Sequence, residues 1–171
     1  MDSLTESVAS ALNSQYTLER QSEVVYLAAA NVLAFHAIGG FASWCRLEAS
    51  GERSHAAAVA DYLIDRGRVP AVSALDLVTV PMTDNVSDLR ASLIALFTRA
   101  FEQEAIVSNS LDDLHDIAVQ EGDTFTCIFL QSFMSEQVRA ERDLAGLIGL
   151  LQFADCPAAV LQLDHKYGKR E

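Results

Sequence analysis

Glu52 and His55 stand three residues apart in the stretch SGERSHAAAV, residues 50–59. On a helix, positions i and i+3 project from one face, so a carboxylate and an imidazole at this spacing can share a metal ion or neighbour two. A second relation gives the pair weight. Glu19 precedes Glu52 by 33 positions, and Glu104 precedes Gln137 by the same 33. Three residues after Gln137 comes Ala140. The chain thus contains Glu followed by Glu-x-x-His, and later Glu followed by Gln-x-x-Ala. The second half of this internal pair has lost a carboxylate and an imidazole.

The elements that must position these residues are legible from the breaks. Gly and Pro are scarce and cluster at HAIGG (36–40), DRGRVP (65–70), TVPMTDN (79–85), EGD (121–123) and DCP (155–157). Between them run segments rich in Ala, Leu, Glu, Gln and Arg, which predict helices over 5–34, 40–66, 87–120, 124–153 and 157–167. Asp123 or Thr124 is placed to cap the fourth and Ser87 the third, where Arg90 stands at the position a capping box gives to Glu. The expected fold is all-α: a four-helix bundle with a long crossover between helices 2 and 3 and a short fifth helix, forming a single domain over 1–171. ALDLVTV in the crossover is expected to run extended along the bundle.

Glu19 and Glu52 lie at nearly equal distances from the first turn, so the antiparallel hairpin puts both carboxylates at one level. Glu104 and Gln137 repeat this across the second turn. Leu18, Val25, Ala56, Val59, Phe101 and Phe133 surround these positions with apolar side chains, which argues for burial over a solvated helix face. A di-iron carboxylate site takes one Glu from each of two helices and Glu-x-x-His from the others. Oxygen and imidazole ligands suit Fe(II). One iron would use Glu19, Glu52 and His55. The second would use Glu104, a share of Glu52 and Gln137, whose neutral amide is a poor ligand. That site should be the weaker, which suits iron as a substrate more than as a fixed cofactor.

Composition narrows the alternatives. A net charge of −12 argues against nucleic acid, whose phosphates need a basic face. No apolar run reaches the ~18 residues of a membrane span. MDSLTESVAS has neither the basic nor the apolar segment of a secretory signal. Cys45, Cys127 and Cys156 are odd in number and widely spaced, which fits a reducing, cytoplasmic setting.

With these residues in place, the chain resembles the ferritins. The matching stretches are LNSQYTLERQSEVVYLA, GERSHAAAVADYLIDRGRVP, FEQEAIVSNSLDDLHDIAVQEGD and FLQSFMSEQVRAERDL, with AAVLQLDHKY as the fifth helix. The resemblance implies a homo-oligomeric shell of twenty-four subunits. Such a shell oxidises Fe(II) with O2 or peroxide and stores the ferric product as mineral. It also implies ferroxidase ligands at Glu19, Glu52, His55, Glu104 and Gln137, and beside the site a catalytic tyrosine, Tyr26, able to supply an electron when the second oxidation is incomplete. Ala140 resembles the animal heavy-chain pattern, and FLQSF the bacterial non-haem branch. Arg53 stands where haem-binding relatives place Met, so no haem is expected. Of the acids of the bacterial third-iron site, Gly51, Arg139 and Ala140 stand at three positions and Glu136 alone remains. Gly51, Ser54 and Ala57 replace the mineral-seeding acids of heavy chains. Cys127 and Leu130 replace the acids of the three-fold channel. The competing readings are a rubrerythrin-like di-iron oxidase or peroxidase, which Gln137 and Ala140 disfavour, and a catalytically inactive structural subunit, which the ligand set disfavours. The ligands within the bundle and the fifth helix disfavour a mini-ferritin.

Two acids fall outside that pattern. Glu23 is one turn after Glu19 and Glu48 one turn before Glu52. On antiparallel helices they are expected to face each other about 6 Å along the bundle from the di-iron layer, near Tyr26, as an auxiliary iron site that Glu141 could join. His36 and His165 are expected to be exposed and His115 to lie in a channel-lining region. Trp44 and Phe41 are expected as packing or dimer contacts rather than a redox relay.

Overall fold

The computed structural model describes residues 4–71, 73–81 and 88–169. Five helices follow one another: α1 (Glu6–Phe35), α2 (Gly39–Asp65), α3 (Leu89–Gln120), α4 (Thr124–Phe153) and α5 (Pro157–Tyr167). Three of the starts have a local cause. The Thr5 hydroxyl accepts from the Val8 amide at 3.4 Å. The Asp88 carboxylate accepts from the Ala91 amide at 3.0 Å, and the Asp123 carboxylate from the Thr126 amide at 3.1 Å. These side chains satisfy amides that have no partner inside the helix. The third helix therefore starts on Asp88, and Ser87, the expected cap, lies outside the described residues. Arg90 donates instead to the Ala154 carbonyl at the far end of α4.

The ends of α2 and α3 follow glycine chemistry. Gly67 and Gly122 take φ of 75° and 70°. The following amides, Arg68 and Asp123, reach back to the Leu63 and Ala118 carbonyls at 2.9 and 2.8 Å, the Schellman arrangement. The first turn differs. Its left-handed residue is Ala37, with φ 59°, although two glycines follow. Gly40 instead permits a close approach, since a Cβ there would fall 1.8 Å from the Asp164 carbonyl oxygen. The start of α2 presses on α5, and Asp164 Oδ1 accepts from the Phe41 amide at 2.7 Å. An acid from α5 thus caps α2, whose own N-cap residue Ile38 makes no side-chain bond.

The apolar core falls into two clusters. One joins the C-terminal half of α1, the N-terminal halves of α2 and α3, the C-terminal half of α4 and α5, with Leu33, Phe41, Phe97 and Leu147 at its centre. The other joins the opposite halves through Leu12, Leu63, Leu111 and Leu130. Because α2 and α3 contribute the same half to each cluster, they run parallel, as the crossover requires. The crossover is held to α1 by side-chain amides: Asn13 accepts from the Ala71 amide at 2.6 Å and Gln21 from the Asp76 amide at 2.8 Å. Between the two clusters, every helix of the bundle turns a polar residue inward: Gln15, Glu19, Ser22 and Glu23 from α1, Glu52 from α2, Gln103 and Glu104 from α3, and Gln137 from α4. The site lies in this layer.

Candidate metal centre

Glu19 and Glu52 meet His55 at the middle of the first hairpin. One ligand atom from each lies within 4.8 Å of the others. His55 Nδ1 is 3.7 Å from Glu19 Oε2 and 3.6 Å from Glu52 Oε2. These separations are long for hydrogen bonds and leave room for an ion between the three groups. Glu19 is 1% exposed, and its Oε2 is buried without a hydrogen-bond partner. Gln15, one turn earlier, donates to the other oxygen at 2.7 Å. One carboxylate oxygen is therefore held and the other is offered to the cluster.

The second hairpin arranges its residues otherwise. Tyr26 Oη donates to Glu104 Oε1 at 2.5 Å, and Gln137 Nε2 donates to Glu104 Oε2 at 2.5 Å and to the Glu104 carbonyl at 3.1 Å. Both oxygens of Glu104 are thus engaged by protein donors. A metal at this position would have to displace Gln137, consistent with the weaker second site expected from its amide.

Burial makes this layer poor in water, which disfavours the charged forms of Glu52 and Glu104. Burial pushes the Glu52 carboxyl up to about 8; the nearby His55 opposes this and the Glu104 and Glu19 charges add to it. Glu104 is raised by burial against its bonds from Tyr26 and Gln137. His55 is pushed up to about 11, mainly by the facing Glu19 and Glu52 carboxylates, with burial opposing. Burial, then Glu104, holds the Tyr26 phenol well above its usual range. The metal-free layer therefore retains protons near neutral pH that separate groups would release. A divalent cation answers the same charge deficit and would expel them.

Comparison with known proteins identifies the family of the bundle. The ferritin-like domain family matches residues 9–154. A bacterial non-heme ferritin of Bacteroides fragilis (strain 638R) is 31% identical over 167 residues, covering 98% of this chain and 99% of its own. The chain belongs to the ferritin family. A bacterial non-heme ferritin of Escherichia coli O157:H7 is 28% identical over 84% of this chain and 82% of its own. Among solved structures, an open pore ferritin from the hyperthermophilic archaeon Archaeoglobus fulgidus superposes with a TM-score of 0.87 at 27% identity, covering 99% of this chain and 100% of that one.

Several features of this ferritin escaped the spacing of its residues. Glu136 reaches across from α4, its Oε2 lying 2.9 Å from His55 Nε2. An outer carboxylate on this nitrogen leaves Nδ1 to face the cluster and fixes the ring. Glu136 precedes the expected ligand Gln137 in sequence, but only the packing of α4 against α2 shows its contact. Gln15 was missed for a similar reason, since an amide carries no metal-ligand signal.

Glu23 departs from expectation. Its carboxylate is 3% exposed, but Arg53 Nε and Nη2 lie 2.7 and 2.6 Å from Oε1. Arg20 Nη1 is 2.9 Å from Oε2, though not aligned for a hydrogen bond. The counter-charge assigned to a shared cation is supplied by guanidinium groups, because Arg53 folds back from α2 onto α1. Glu48 instead lines a pocket of about 260 Å³ with Glu52, His55, Tyr26, Trp44 and Glu136. Glu141 does not join it; its carboxylate accepts from Ser108 on α3. Leu130, expected at a channel, is 0% exposed in the subunit's own core.

Proposed function

We propose that this protein is a ferroxidase and iron-storage subunit. Fe(II) binds as substrate to Glu19, Glu52, His55, Glu104 and Gln137, and is oxidised there with O2 or peroxide as acceptor. The ferric product is stored as mineral inside a homo-oligomeric shell of twenty-four copies, in the cytoplasm and without haem. The single domain 1–171 supplies the whole site. Glu52 lies between the two positions and serves both. His55 holds the stronger one, oriented by Glu136. Gln137 leaves Glu104 to admit the second iron, so the product is not trapped.

One observation carries this reading: the buried Glu19 oxygen without a partner, facing Glu52 and His55 in a layer short of positive charge. A packing role would leave such an oxygen unsatisfied at a cost of ~1–3 kcal/mol. The test is to mix the metal-free protein with Fe(II) in air and follow ferric absorbance. A fast phase saturating near two irons per subunit is expected, from particles that light scattering sizes near twenty-four subunits. No fast phase, or a stable monomer, overturns it.

A further inference from the structure

The resting orientation of Gln137 is the wrong one for a metal ligand. Its Nε2 donates to Glu104 Oε2 at 2.5 Å and to the Glu104 carbonyl at 3.1 Å. An amide NH2 only donates, so Gln137 can meet a cation only through Oε1. Holding the second ion therefore requires the amide to turn over and bring its oxygen toward Glu104. The turn itself is easy, since the last torsion of a glutamine is broad and roughly two-fold. The obstacle is the NH2. Gln137 is 8% exposed, and a buried donor taken from its acceptors is destabilising unless another acceptor receives it.

That acceptor stands one turn along α4. Glu141 follows Gln137 by four residues, the spacing at which two side chains meet on one helix face. Both line a pocket of about 230 Å³ in the groove between α3 and α4, where Leu111, Met134 and Val138 form apolar walls. Ser108 of α3 lines it too and donates to Glu141, which fixes the carboxylate in place. A carboxylate has about four acceptor sites, so this bond leaves capacity for the Gln137 NH2. Asp112, the other acid of the pocket, is exposed and lies on α3. On its other side Gln137 lines the pocket beside the metal centre. There Glu136 is committed to His55 at 2.9 Å, and Glu52 faces the same ring at 3.6 Å.

We propose that Glu141, held by Ser108, is a positioning residue for the second iron: it receives the Gln137 NH2 and so turns the amide oxygen toward an ion at Glu104. This rests on the ferroxidase reading above and gives its weaker site an outer partner, as Glu136 is for His55. The step exchanges one carboxylate acceptor for another and moves no proton or electron. Without metal, the NH2 stays on Glu104. With an ion present, it moves to Glu141, and Glu104 Oε2 and Gln137 Oε1 both become ligand atoms. Two acceptors for one donor make Gln137 a two-position element, and the ion selects the position it binds better. When the product leaves, the NH2 returns to Glu104 without ever being stranded.

The test reads metal binding apart from oxidation. The assembled, metal-free protein is titrated with Fe(II) in the absence of oxygen and followed by calorimetry, and crystals are loaded with Zn(II). The parent should bind two ions per subunit, one more tightly, and the Zn(II) structure should show Gln137 with Oε1 toward the second ion and Nε2 on Glu141. Glu141→Leu should leave the tighter site as it is and weaken the other by the ~10–100-fold usual for loss of an outer partner. Glu141→Gln keeps an acceptor and drops the charge, and it should bind the second ion as the parent does. An unaltered second affinity in Glu141→Leu overturns the role. So does an equal loss in Glu141→Gln, which would assign the effect to charge alone, and so does a loaded structure with Gln137 Nε2 still on Glu104. The loaded parent structure decides the matter even if Glu141→Leu does not fold. Binding and structure as expected, with no ferric absorbance in air, support the positioning role and overturn the ferroxidase reading alone.

Discussion

Two buried polar clusters lie in this bundle, and they are built to opposite rules. At the turn between α3 and α4, Arg66 donates through Nη1 and Nη2 to the two oxygens of Asp123 at 3.2 and 3.0 Å. It also donates to the Tyr62 hydroxyl, and the Thr126 hydroxyl donates to Asp123 at 2.8 Å. The guanidinium lies over the rings of Tyr62 and Phe125. Burial works against the Asp123 charge, but Arg66 and Thr126 outweigh it and hold the carboxyl below its usual range. Charge meets charge inside the protein. In the central layer, Glu19, Glu52 and Glu104 face one imidazole, and the carboxyls of Glu52 and Glu104 are raised. In the first cluster the Arg66 and Asp123 charges answer each other. The second faces three acids with one imidazole, and Glu19, Glu52 and His55 are grouped closely enough that they could hold a metal ion.

Substitutions separate the two. Glu52→Ala should have the largest effect. It removes a ligand from both proposed iron positions and should slow the fast ferric phase by more than the ~10–100-fold typical of losing an outer hydrogen-bond partner, while thermal unfolding of the metal-free protein is unchanged or later. Ferric formation at the parental rate would remove Glu52 from the site. Asp123→Ala should do the reverse. Breaking this buried pair should cost about 3 kcal/mol, since it strands the Arg66 charge and removes the α4 cap, and calorimetry should show the lower melting temperature with ferric formation per folded subunit retained. Equal loss of iron oxidation would erase the contrast between the clusters.

The smallest effect sharpens the comparison through pH. Glu52 and His55 both have folded pKa values above their ordinary ones. Groups raised in this way stabilise the fold fully below their unfolded pKa and lose that contribution as pH rises through the folded value. For Glu52 the window runs from about 4.5 to about 8, and for His55 from about 6.5 to about 11. The metal-free protein should therefore melt at lower temperature as pH rises from 6.5 to 8, and saturating Zn(II), which replaces the protons, should flatten the slope. Glu52→Gln should flatten it without metal. A slope unaltered by both would place the titrating groups elsewhere.

Much of this was legible in the residues because it is local to a hairpin. The rise of 1.5 Å per residue and the position of a short turn decide which residues share a level. That is why two matched spacings were enough to bring Glu19 to Glu52 and Glu104 to Gln137. Glycine and capping chemistry placed the ends of the helices to within two residues. The first turn was misleading in detail, since Gly40 serves the close approach of α5 while Ala37 takes the left-handed conformation.

What the tertiary structure alone decided is where long side chains go and what crosses between hairpins. Periodicity assigns Glu23 to an inward face but says nothing of Arg53, whose guanidinium reaches it from the neighbouring helix. It places Glu136 beside Gln137 but not against His55. It cannot bring Tyr26, Trp44 and Tyr167 together, because these belong to three helices and their contact depends on how α5 docks. A flexible side chain several bonds long can reach more than one partner from the same backbone position. The sequence alone therefore determined the polar layer between the two apolar clusters, and the packing of the hairpins and α5 determined which partners its charges meet.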